Sequence, residues 1–598
     1  MNILQNQEIN GKYLYYAFIA GSQQLLSHQE EINSINVFPV KDKDTGSNLA
    51  STIRSVIDTI KPDKSYKKTI NNIAEAALIG ARGNSGVIFA QFLNGLNTET
   101  KNKKDINLNE FVESVNKSIP FIYDAVANPI EGTMLTVIRE WSDYLYSKKE
   151  TTSDFNQLIS DSITILEKSL LETTSKLQKL KKYNFVDAGA KGFVIFIKGI
   201  TNFIKNGNIR RLSIEKIEMV SLVHSDEIID EELNYRYCTE AILKNMHTNT
   251  NLLKTFLCKN GDSVVVAGSE NTCRIHVHTN QPAELFNKLK DIGTITFQKV
   301  DDMQRQREIT SHRKWNIALV TDSTCDLSQD LIDFYQINVV PMNINFGENH
   351  YLDKITLQPE QFYNLLDSSQ DVPKTSQINE RTFTNLYSHL ASNYDAIIAI
   401  HLTSKFSGTY TNSLKAANRI QKEFNKPIYV IDSKNLSGAL GLLVLKAAKN
   451  IEAGISAKDI IKSLTENISN SKIYVSVKNL KYMIKGGRVS KPAGFIANLF
   501  GINPVISMNQ EGQSLLFGNT FSQKASLNKI FKHIKNITKE KSIWNYIILH
   551  AHNTDGASKA KSKMIKITGK EPISIVDISP VIGIHAGNGA IAISLLLT

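Results

Sequence analysis

A chain of 598 residues exceeds what one hydrophobic core supports, since single cores stop growing at roughly 250–300 residues, and therefore predicts several domains. Hydrophobic residues make up 41% and charged residues 21% of the chain, which is typical of a globular protein in water. The net charge of +11 is spread along the chain without a basic block interleaved with aromatic residues, so composition gives little reason to expect nucleic-acid binding.

The sequence carries neither a secretion signal nor a membrane segment that we can identify. Residues 1–29 lack the apolar core of a signal peptide, and no apolar run approaches the roughly 18 residues of a membrane-spanning helix. We therefore expect a cytoplasmic protein. The chain has 4 cysteines, too few for a disulfide framework. Three of them, Cys238, Cys258 and Cys273, fall in one short segment, which indicates either a metal site or burial by chance.

Residues 1 to about 212 are predicted to form an all-α domain. Apolar residues recur three and four positions apart in several stretches, as on one face of a helix. These stretches are residues 13–26, 70–78, 111–126, 135–146 and 159–180. Glycines cluster in the connections and not in the helices, so we expect a bundle of helices whose loops bind a ligand.

The first connection places two carboxylates beside a helix start. Asp42 and Asp44 lie within residues 36–48, and such hard oxygen ligands suit Mg²⁺, which proteins hold with one or two carboxylates plus substrate phosphates. The N–H groups that open the next predicted helix (49–60) favour an anion at the same place. The residues of this helix start are Thr45, Gly46 and Asn48. A metal beside a phosphate indicates nucleotide chemistry, and a solvated turn is the alternative that these residues leave open.

Three further loops of this domain combine glycine with polar side chains. The loop 80–86 has three glycines, which let the backbone approach a phosphate closely, and Arg82, whose charge could neutralise it. The loop 131–136 supplies a carboxylate and two hydroxyls, and the loop 186–192 supplies a carboxylate and a lysine. Each loop alone is compatible with an ordinary helix connection, but four in one domain favour a ligand site.

In this order the loops resemble the DhaL nucleotide-binding domain, in the form found in the ATP-binding subunit of fatty acid kinase. The resemblance rests on Asn-Val-Phe-Pro-Val, Asp-x-Asp-Thr-Gly, Gly-Ala-Arg-Gly-Asn-Ser-Gly, Glu-Gly-Thr and Val-Asp-x-Gly-x-Lys-Gly, and covers nearly all of residues 1–212. It implies a barrel of helices that holds ATP with Mg²⁺ at one end. The family's metal-binding positions fall on Asn36, Asp42 and Asp44, and the predicted catalytic residues are Asp42, Asp44 and Arg82. The predicted nucleotide-binding residues are Thr45, Gly46, Asn48, Gly83, Asn84, Ser85, Gly86, Thr133, Asp187 and Lys191.

One departure from the family pattern concerns the metal loop. The family usually has Pro-Asp-Gly-Asp there, whereas this chain has Lys41-Asp42-Lys43-Asp44. Loss of the glycine restricts the loop dihedrals, and the two lysines either assist phosphate binding or compete with the metal. An inactive kinase domain is therefore an alternative, although both carboxylates are present.

Residues 213–312 are predicted to form a small α+β domain. Short, alternating and β-branched segments predict strands here. These segments are residues 237–243, 263–268 and 273–278. His276 and His278 lie two apart on one predicted strand and share a face, so that with Cys238 they would form a three-ligand Zn²⁺ site. Partly exposed histidines and a cysteine buried as a small hydrophobic residue are the alternative.

This segment also resembles the central domain of the same kinase subunit. Tyr-Cys-Thr-Glu, Gly-Asp-Ser-Val-Val-Val and His-Val-His-Thr carry the resemblance. The matching cysteine and two histidines bind zinc in that family. The resemblance therefore implies a structural Zn²⁺ at Cys238, His276 and His278.

Residues 315–598 are predicted to form a two-lobed α/β domain with a cleft. Three apolar segments each end in polar residues before a helix, which predicts a mainly parallel sheet with ligands at the carboxyl ends of its strands. These segments are residues 317–320, 396–400 and 428–431. A second set of strands, which suggests the second lobe, is predicted at 473–477, 546–550 and 573–576.

Four motifs of this domain suit an anion such as a carboxylate head group. They contribute hydroxyls, a guanidinium and an imidazole, with no carboxylate among them. The motifs are residues 374–377, 406–409, 485–488 and 583–589. A Ser–His hydrolase is a competing interpretation, which the missing Gly-x-Ser-x-Gly motif disfavours, and a set of unrelated turns is another.

The same residues resemble the DegV family of fatty-acid-binding proteins over 315–598. Val-Thr-Asp-Ser-Thr, Thr-Ser, Ser-Gly-Thr, Asp-Ser, Gly-Gly-Arg and His-Ala-Gly carry the resemblance. It implies a fatty carboxylate held by the hydroxyls of Thr375 and Ser407, with Arg488 and His585 nearby, and an acyl chain in an apolar tunnel between the lobes. The predicted binding residues are Thr375, Ser376, Ser407, Gly408, Thr409, Arg488 and His585.

Together these resemblances predict an ATP-dependent fatty acid kinase in which the ATP-binding and acyl-binding components are fused. Its product would be an acyl phosphate for phospholipid synthesis. A carboxylate acceptor is ionised near neutral pH, so the lack of an obvious general base fits this reaction. A fatty-acid carrier with an inactive kinase domain and a dihydroxyacetone-type kinase are the alternatives. We expect fatty acid, an enzyme that accepts the acyl phosphate, a second copy of the chain and transient contact with a membrane surface as partners, and no nucleic acid.

Overall fold

The computed structural model describes residues 8–38, 44–206, 233–369, 371–478, 482–483 and 503–598. The chain divides into two compact units. The first unit holds residues 1–280 and 291–301, and the second holds residues 281–290 and 302–598. Across the described ranges, no helix has both the length and the apolar character needed to span a bilayer.

The first unit begins with a bundle of helices around one apolar core. Polar side chains cap several of them, and Asn107 and Glu110 form a reciprocal capping box at the start of one helix. The helices are α1 Gly11–Ser27, α2 Gln29–Ser34, α3 Thr45–Thr59, α4 Tyr66–Gly80, α5 Gly83–Glu99, α6 Leu108–Ala125, α7 Met134–Lys148, α8 Phe155–Lys176, α9 Gln178–Tyr183 and α10 Ala188–Asn206. The predicted all-α fold is confirmed, with one added pair of short strands, β1 (Glu8–Asn10) and β2 (Asp105–Asn107).

The expectation that glycines cluster in the connections and not in the helices does not hold for α1 and α10. Gly21 lies inside α1 and Gly199 inside α10. A Cβ added to Gly199 would lie 2.8 Å from the Cα of Gly21, so the two helices cross too closely for larger residues. The sequence pattern could not reveal this, because it reports which face is apolar and not how closely two helices approach.

A four-stranded sheet completes the first unit and confirms the predicted α+β fold. Its strands are β3 Tyr237–Lys244, β4 Asp262–Gly268, β5 Thr272–Thr279 and β6 Thr294–Asp302, and helix α11 is Thr250–Cys258. The strand order is β4-β5-β3-β6. Val265 and Ala267 of β4 belong to the same buried cluster as the helices, and Gly268 N donates to Gln91 Oε1 of α5 at 2.9 Å. The sheet and the helix bundle therefore share one core.

The second unit is built around two larger sheets, in agreement with the predicted two-lobed α/β fold. Its strands are β7 Ile317–Asp322, β8 Asn338–Val340, β9 Asn343–Phe346, β10 Asn349–Leu352, β11 Lys374–Ser376, β12 Ala396–His401, β13 Ile428–Asp432, β14 Ser471–Ser476, β15 Val505–Met508, β16 Ser514–Gly518, β17 Ile543–His550, β18 Ser574–Asp577 and β19 Ile591–Leu597. Its helices are α12 Pro282–Leu289, α13 Met303–Thr310, α14 Gln329–Phe334, α15 Pro359–Ser368, α16 Glu380–Asn393, α17 Thr409–Phe424, α18 Ser437–Glu452, α19 Ala457–Asn467, α20 Gln523–Ile537, α21 Thr554–Thr568 and α22 Pro580–Ala586.

Strand direction differs between the two sheets. The first sheet, in the order β13-β12-β7-β8, is parallel throughout, as the alternation of strand and helix predicted. The second sheet, in the order β16-β15-β14-β19-β17-β18, has four antiparallel pairings and one parallel pairing. The expectation of a mainly parallel sheet fails there because β19, the last strand, inserts between β14 and β17 and runs against both.

Candidate functional site

The first two glycine-containing loops of the helix bundle meet at the start of α5. Gly83 has a φ of +57°, and an added Cβ would lie 2.3 Å from Nδ2 of Asn48 near the start of α3. Only glycine combines this left-handed backbone with so close an approach. The backbone N–H of Arg82 donates to Oγ1 of Thr52 at 3.3 Å, which further joins this loop to α3.

The other two loops meet at a buried carboxylate. Asp187 Oδ1 accepts from the backbone N–H groups of Met134 at 3.1 Å and Ala190 at 2.8 Å, and so joins the starts of α7 and α10. Burial raises the pKa of Asp187 to about 6, although these hydrogen bonds oppose the shift. An added Cβ on Gly189 would lie 2.8 Å from Ser85 Oγ, so this pair of loops also contacts α5. The described parts of all four predicted loops therefore lie at one end of the bundle.

The predicted metal loop is described only in part. Asn36 is buried and Asp44 immediately precedes α3, whereas Asp42 lies outside the described residues. Asn33, which the sequence pattern did not single out, accepts from the backbone N–H of Ser47 at 3.0 Å and holds the start of α3. An added Cβ on Gly46 would lie 2.2 Å from the Gln29 carbonyl oxygen, so α3 begins directly against α2.

Two further predicted side chains at this end contact other residues of the bundle. Lys191 Nζ lies 3.0 Å from Glu31 Oε1, and Thr133 Oγ1 donates to the Ile130 carbonyl at 2.8 Å. Among the described residues, Oδ1 of Asn84 is a buried acceptor without a hydrogen-bond donor. The roles proposed for these residues in nucleotide binding stay predictions.

A network that the sequence pattern missed supports the loop before α7. Glu131 accepts from Tyr123 Oη at 2.8 Å, from Thr136 Oγ1 at 2.6 Å and from Arg139 Nη2 at 2.9 Å. Tyr123 and Arg139 belong to neighbouring helices and carry no motif of their own. Gly132, with a φ of +86°, follows Glu131 directly, so the network holds the turn that leads to Thr133.

The predicted metal cluster of the middle domain assembles on one face of its sheet. Cys238 on β3 pairs with His278 on β5, and His276 lies two residues away on the same face. The candidate ligand atoms of the three residues lie within 4.8 Å of one another. His276 Nε2 and His278 Nε2 are 3.3 Å apart, and Cys238 Sγ is 3.9 Å from His276 Nδ1.

This donor set fits Zn²⁺. Two nitrogens that each lie about 2.0–2.1 Å from a tetrahedral zinc are separated by roughly 3.3 Å, which is the separation of the two imidazoles. Burial lowers the pKa of His278 to about 3, so its ring is neutral and able to act as a ligand. Burial and the charge of Glu240 raise the pKa of the Cys238 thiol well above its usual range, so a thiolate there would need a cation.

Replacing Cys238 by serine is expected to lower the zinc content of the purified protein from about one equivalent per chain to below about a tenth, because a hydroxyl is a far poorer zinc ligand than a thiolate. Elemental analysis by mass spectrometry measures this content. Cys258→Ser is the matched control, since that cysteine is exposed and lies outside the cluster. Equal zinc in the two variants would show that the cluster binds no zinc through its sulfur.

A largely apolar cavity of the second unit lies against its second sheet, with lining residues on β14, β15, β16 and β19. It has a volume of about 660 Å³, counted out to its open mouth. Its apolar lining is formed by Phe406, Leu436, Ile473, Val475, Val477, Met483, Ile506, Met508, Ile578, Ile582, Ala586 and Ala592. Ser437, Ser507, Ser514 and His585 are its polar lining residues. Such a lining suits a long apolar ligand with a small polar end.

Three of the predicted head-group residues, Ser407, Gly408 and Thr409, lie where β12 leads into α17. Ser407 Oγ and Thr409 Oγ1 are 2.8 Å apart, and Ser407 follows Phe406, which lines the cavity. An added Cβ on Gly408 would lie 2.0 Å from Gln377 Oε1, so the segment after β11, which carries Thr375 and Ser376, lies against this loop. His585 lines the cavity, and Arg488 lies outside the described residues.

An Asp–His–Ser row that the sequence pattern missed lies at the carboxyl ends of β7 and β12. His401 Nδ1 is 3.1 Å from Asp322 Oδ2, His401 Nε2 is 2.9 Å from Ser413 Oγ, and Ser413 Oγ is 2.6 Å from Tyr387 Oη. Each of the four side chains belongs to a residue with 0% exposure. The row therefore has no access to a substrate and connects two strands to two helices, so it does not favour a hydrolase.

Three family models match successive parts of the chain. The DAK2 domain matches residues 39–202, the FakA-like middle domain of fatty acid kinase matches residues 234–310, and the DegV family matches residues 316–598. The family models therefore follow the order of the resemblances found in the sequence. They place a DAK2 domain, a FakA-like middle domain and a DegV-family domain in one polypeptide.

Two similar proteins from staphylococci are described as uncharacterised. One, from Staphylococcus haemolyticus, is 32% identical over 325 residues, which cover 52% of this chain and 58% of that protein. Another, from Staphylococcus saprophyticus, is 33% identical over 314 residues, which cover 50% of this chain and 57% of that protein. The chain thus spans little more than half the length of these relatives.

Two solved structures are similar to part of the chain. The fatty acid binding protein DegV from Bacillus subtilis is 29% identical, with a TM-score of 0.44, and the match covers 48% of this chain and 100% of that protein. A fatty acid binding DegV family protein from Streptococcus agalactiae is 25% identical, with a TM-score of 0.44, and the match covers 48% of this chain and 99% of that protein.

Proposed function

Because one chain joins a DAK2 domain, a FakA-like middle domain and a DegV-family domain, we propose that it is a fatty acid kinase with its own acyl-binding domain. The reaction transfers the γ-phosphoryl group of ATP to a fatty carboxylate. The carboxylate oxygen forms a bond to phosphorus as the bond to the ADP oxygen breaks, and the products are an acyl phosphate and ADP. We keep 1–212, 213–312 and 315–598 as the proposed domain boundaries.

The observation that carries this proposal is the apolar cavity in the DegV-family domain of a chain that also has kinase-type domains. Twelve of its 16 lining residues are apolar, which suits an acyl chain and not a triose. Hydroxyls of Ser407 and Thr409 lie beside its lining residue Phe406 and suit a carboxylate end. This cavity favours a fatty acid over dihydroxyacetone as the phosphoryl acceptor.

The proposed roles in the helical domain follow from charge and geometry. Asp42 and Asp44, with Asn36, hold Mg²⁺, which when bound neutralises charge on the β- and γ-phosphates. The starts of α3 and α5 direct backbone N–H groups toward bound phosphates, and Arg82 adds positive charge. A fatty carboxylate is already ionised near neutral pH, so these residues need only position the reactants and stabilise charge.

Fusion replaces the docking of two separate proteins by a covalent connection. A short flexible linker can raise the effective concentration of one domain near another to the millimolar range, by order of magnitude. We further propose a cytoplasmic homodimer that contacts a membrane surface transiently and passes the acyl phosphate to an acceptor enzyme. Zn²⁺ at Cys238, His276 and His278 is part of the same proposal.

Hydroxylamine trapping tests the proposed reaction directly. Purified protein with Mg·ATP and oleate is expected to form fatty hydroxamate, because hydroxylamine captures an acyl phosphate as it forms. Hydroxamate above the level of a reaction without ATP would support the kinase. No hydroxamate, with fatty acid still bound to the purified protein, would favour a carrier with an inactive kinase domain, and ATP consumption that depends on dihydroxyacetone would favour the triose kinase.

A further inference from the structure

A buried ion pair of the middle sheet faces the glycine-containing loop of the helix bundle. Glu240 on β3 and Arg274 on β5 lie on the same face of the sheet, and Glu240 Oε2 is 2.5 Å from Arg274 Nη2. Their side chains are 2% and 1% exposed. Glu240 ends the Tyr-Cys-Thr-Glu motif, but neither Glu240 nor Arg274 was predicted as a site residue.

One further polar atom of each side chain binds the backbone on one side of the loop. Gly83 N, at the start of α5, donates to Glu240 Oε1 at 2.8 Å. Arg274 Nη1 donates to the carbonyl of Ile79, in the last turn of α4, at 3.0 Å. One ion pair thus holds both ends of the turn that joins the two helices.

Stability alone is a poor explanation for this arrangement. A buried ion pair contributes little more than well-packed apolar side chains of similar volume, because both charges lose their hydration. Apolar side chains make no directional contacts. Only a hydrogen-bond acceptor and a donor can fix the orientation of the Gly83 N–H and the Ile79 carbonyl. The pair therefore determines the geometry of the loop more than its stability.

We propose that Glu240 and Arg274 are positioning residues that hold the 80–86 loop in the geometry that binds the phosphates of ATP. This inference rests on the proposed function, which assigns that loop to the nucleotide. It gives the middle domain a part in nucleotide binding, and Glu240 Oε1 also lies 3.8 Å from Nδ1 of His276 in the metal cluster. A side chain of one domain thereby orders the binding loop of another.

The test uses the full-length double variant Glu240→Leu/Arg274→Met. Both charges are removed together, so no unpaired charge is buried and the core keeps a similar volume. Hydrogen exchange of the peptide that covers residues 79–86 is expected to accelerate at least about tenfold in the nucleotide-free protein. The KM for ATP is expected to rise at least about tenfold with a smaller change in kcat, since loop ordering must then be supplied by ATP binding.

Two further variants separate positioning from a general loss of packing. Gln91→Leu removes the hydrogen bond from Gly268 N, which joins the same sheet and bundle away from the loop, and should leave exchange at 79–86 unchanged. Glu240→Gln keeps an acceptor for Gly83 N, and its KM for ATP should lie between those of the unmutated chain and the double variant.

The outcomes distinguish this inference from the proposed function. If hydrogen exchange at 79–86 and the KM for ATP are both unchanged in the double variant, the inference is overturned while the kinase assignment stands. If the unmutated chain binds no Mg·ATP, the proposed function fails and the inference fails with it. Accelerated exchange at 79–86 in Gln91→Leu as well would overturn the specific role of the ion pair.

Discussion

Replacing Asp44 by asparagine is expected to lower acyl-phosphate formation about a thousandfold while leaving bound fatty acid unchanged. The amide keeps the size of the side chain but removes a negative charge that the proposed Mg²⁺ site requires. Loss of one preorganised charged group at such a site typically costs about 10²–10³ in kcat. Asp42→Asn is expected to act in the same way. Hydroxylamine trapping measures the turnover, and mass spectrometry of extracted lipid measures the bound fatty acid.

Asp44 stands at the N-cap position of α3, where the proposed Mg²⁺ site meets the start of that helix. Asp58→Asn is the matched control, since it makes the same chemical change at an exposed position of the same helix. Turnover in Asp44→Asn equal to that of Asp58→Asn would contradict the metal assignment. Loss of bound fatty acid in Asp44→Asn would contradict a lipid site confined to the DegV-family domain.

Replacing Ser514 by phenylalanine is expected to lower the fatty acid bound to the purified protein by about 10- to 100-fold. Ser514 lines the cavity opposite Met508 on the neighbouring strand, so a larger side chain there occupies space that the acyl chain needs. Overfilling a packed apolar site typically costs about 1–3 kcal/mol, and each 1.4 kcal/mol corresponds to about a tenfold change in affinity. Lipid extraction followed by mass spectrometry gives the amount bound per chain.

The next residue of the same strand provides the control for this variant. Successive side chains of a strand point to opposite faces, and Leu515 is 46% exposed and absent from the cavity lining. Leu515→Phe should therefore leave bound fatty acid unchanged. A thermal melt establishes that both variants are folded. Similar fatty acid content in the two variants would place the acyl site away from this cavity.

Local sequence patterns were sufficient to predict most helices and strands and to identify the loops of the candidate site. Apolar spacing predicted α1, α4, α6 and α7 because a helix with one buried face must repeat its apolar residues every three to four positions. Cys238, His276 and His278 could be grouped because two strand residues two apart share a face, a property of the backbone that needs no tertiary information. The order of the glycine-containing loops carried the resemblance to the kinase domain.

The sequence by itself determined which segments are helices or strands and which loops carry hydroxyls, carboxylates and glycines, since these depend on neighbours along the chain. Only the tertiary structure decided the contact of Glu240 with Gly83, the Asp322–His401–Ser413 row and the antiparallel insertion of β19. Each joins residues from different elements of the fold. The physical reason is that apolar periodicity depends only on which face of a helix or strand is buried. The element that it packs against, and the direction in which a strand runs, depend on the packing of the whole core.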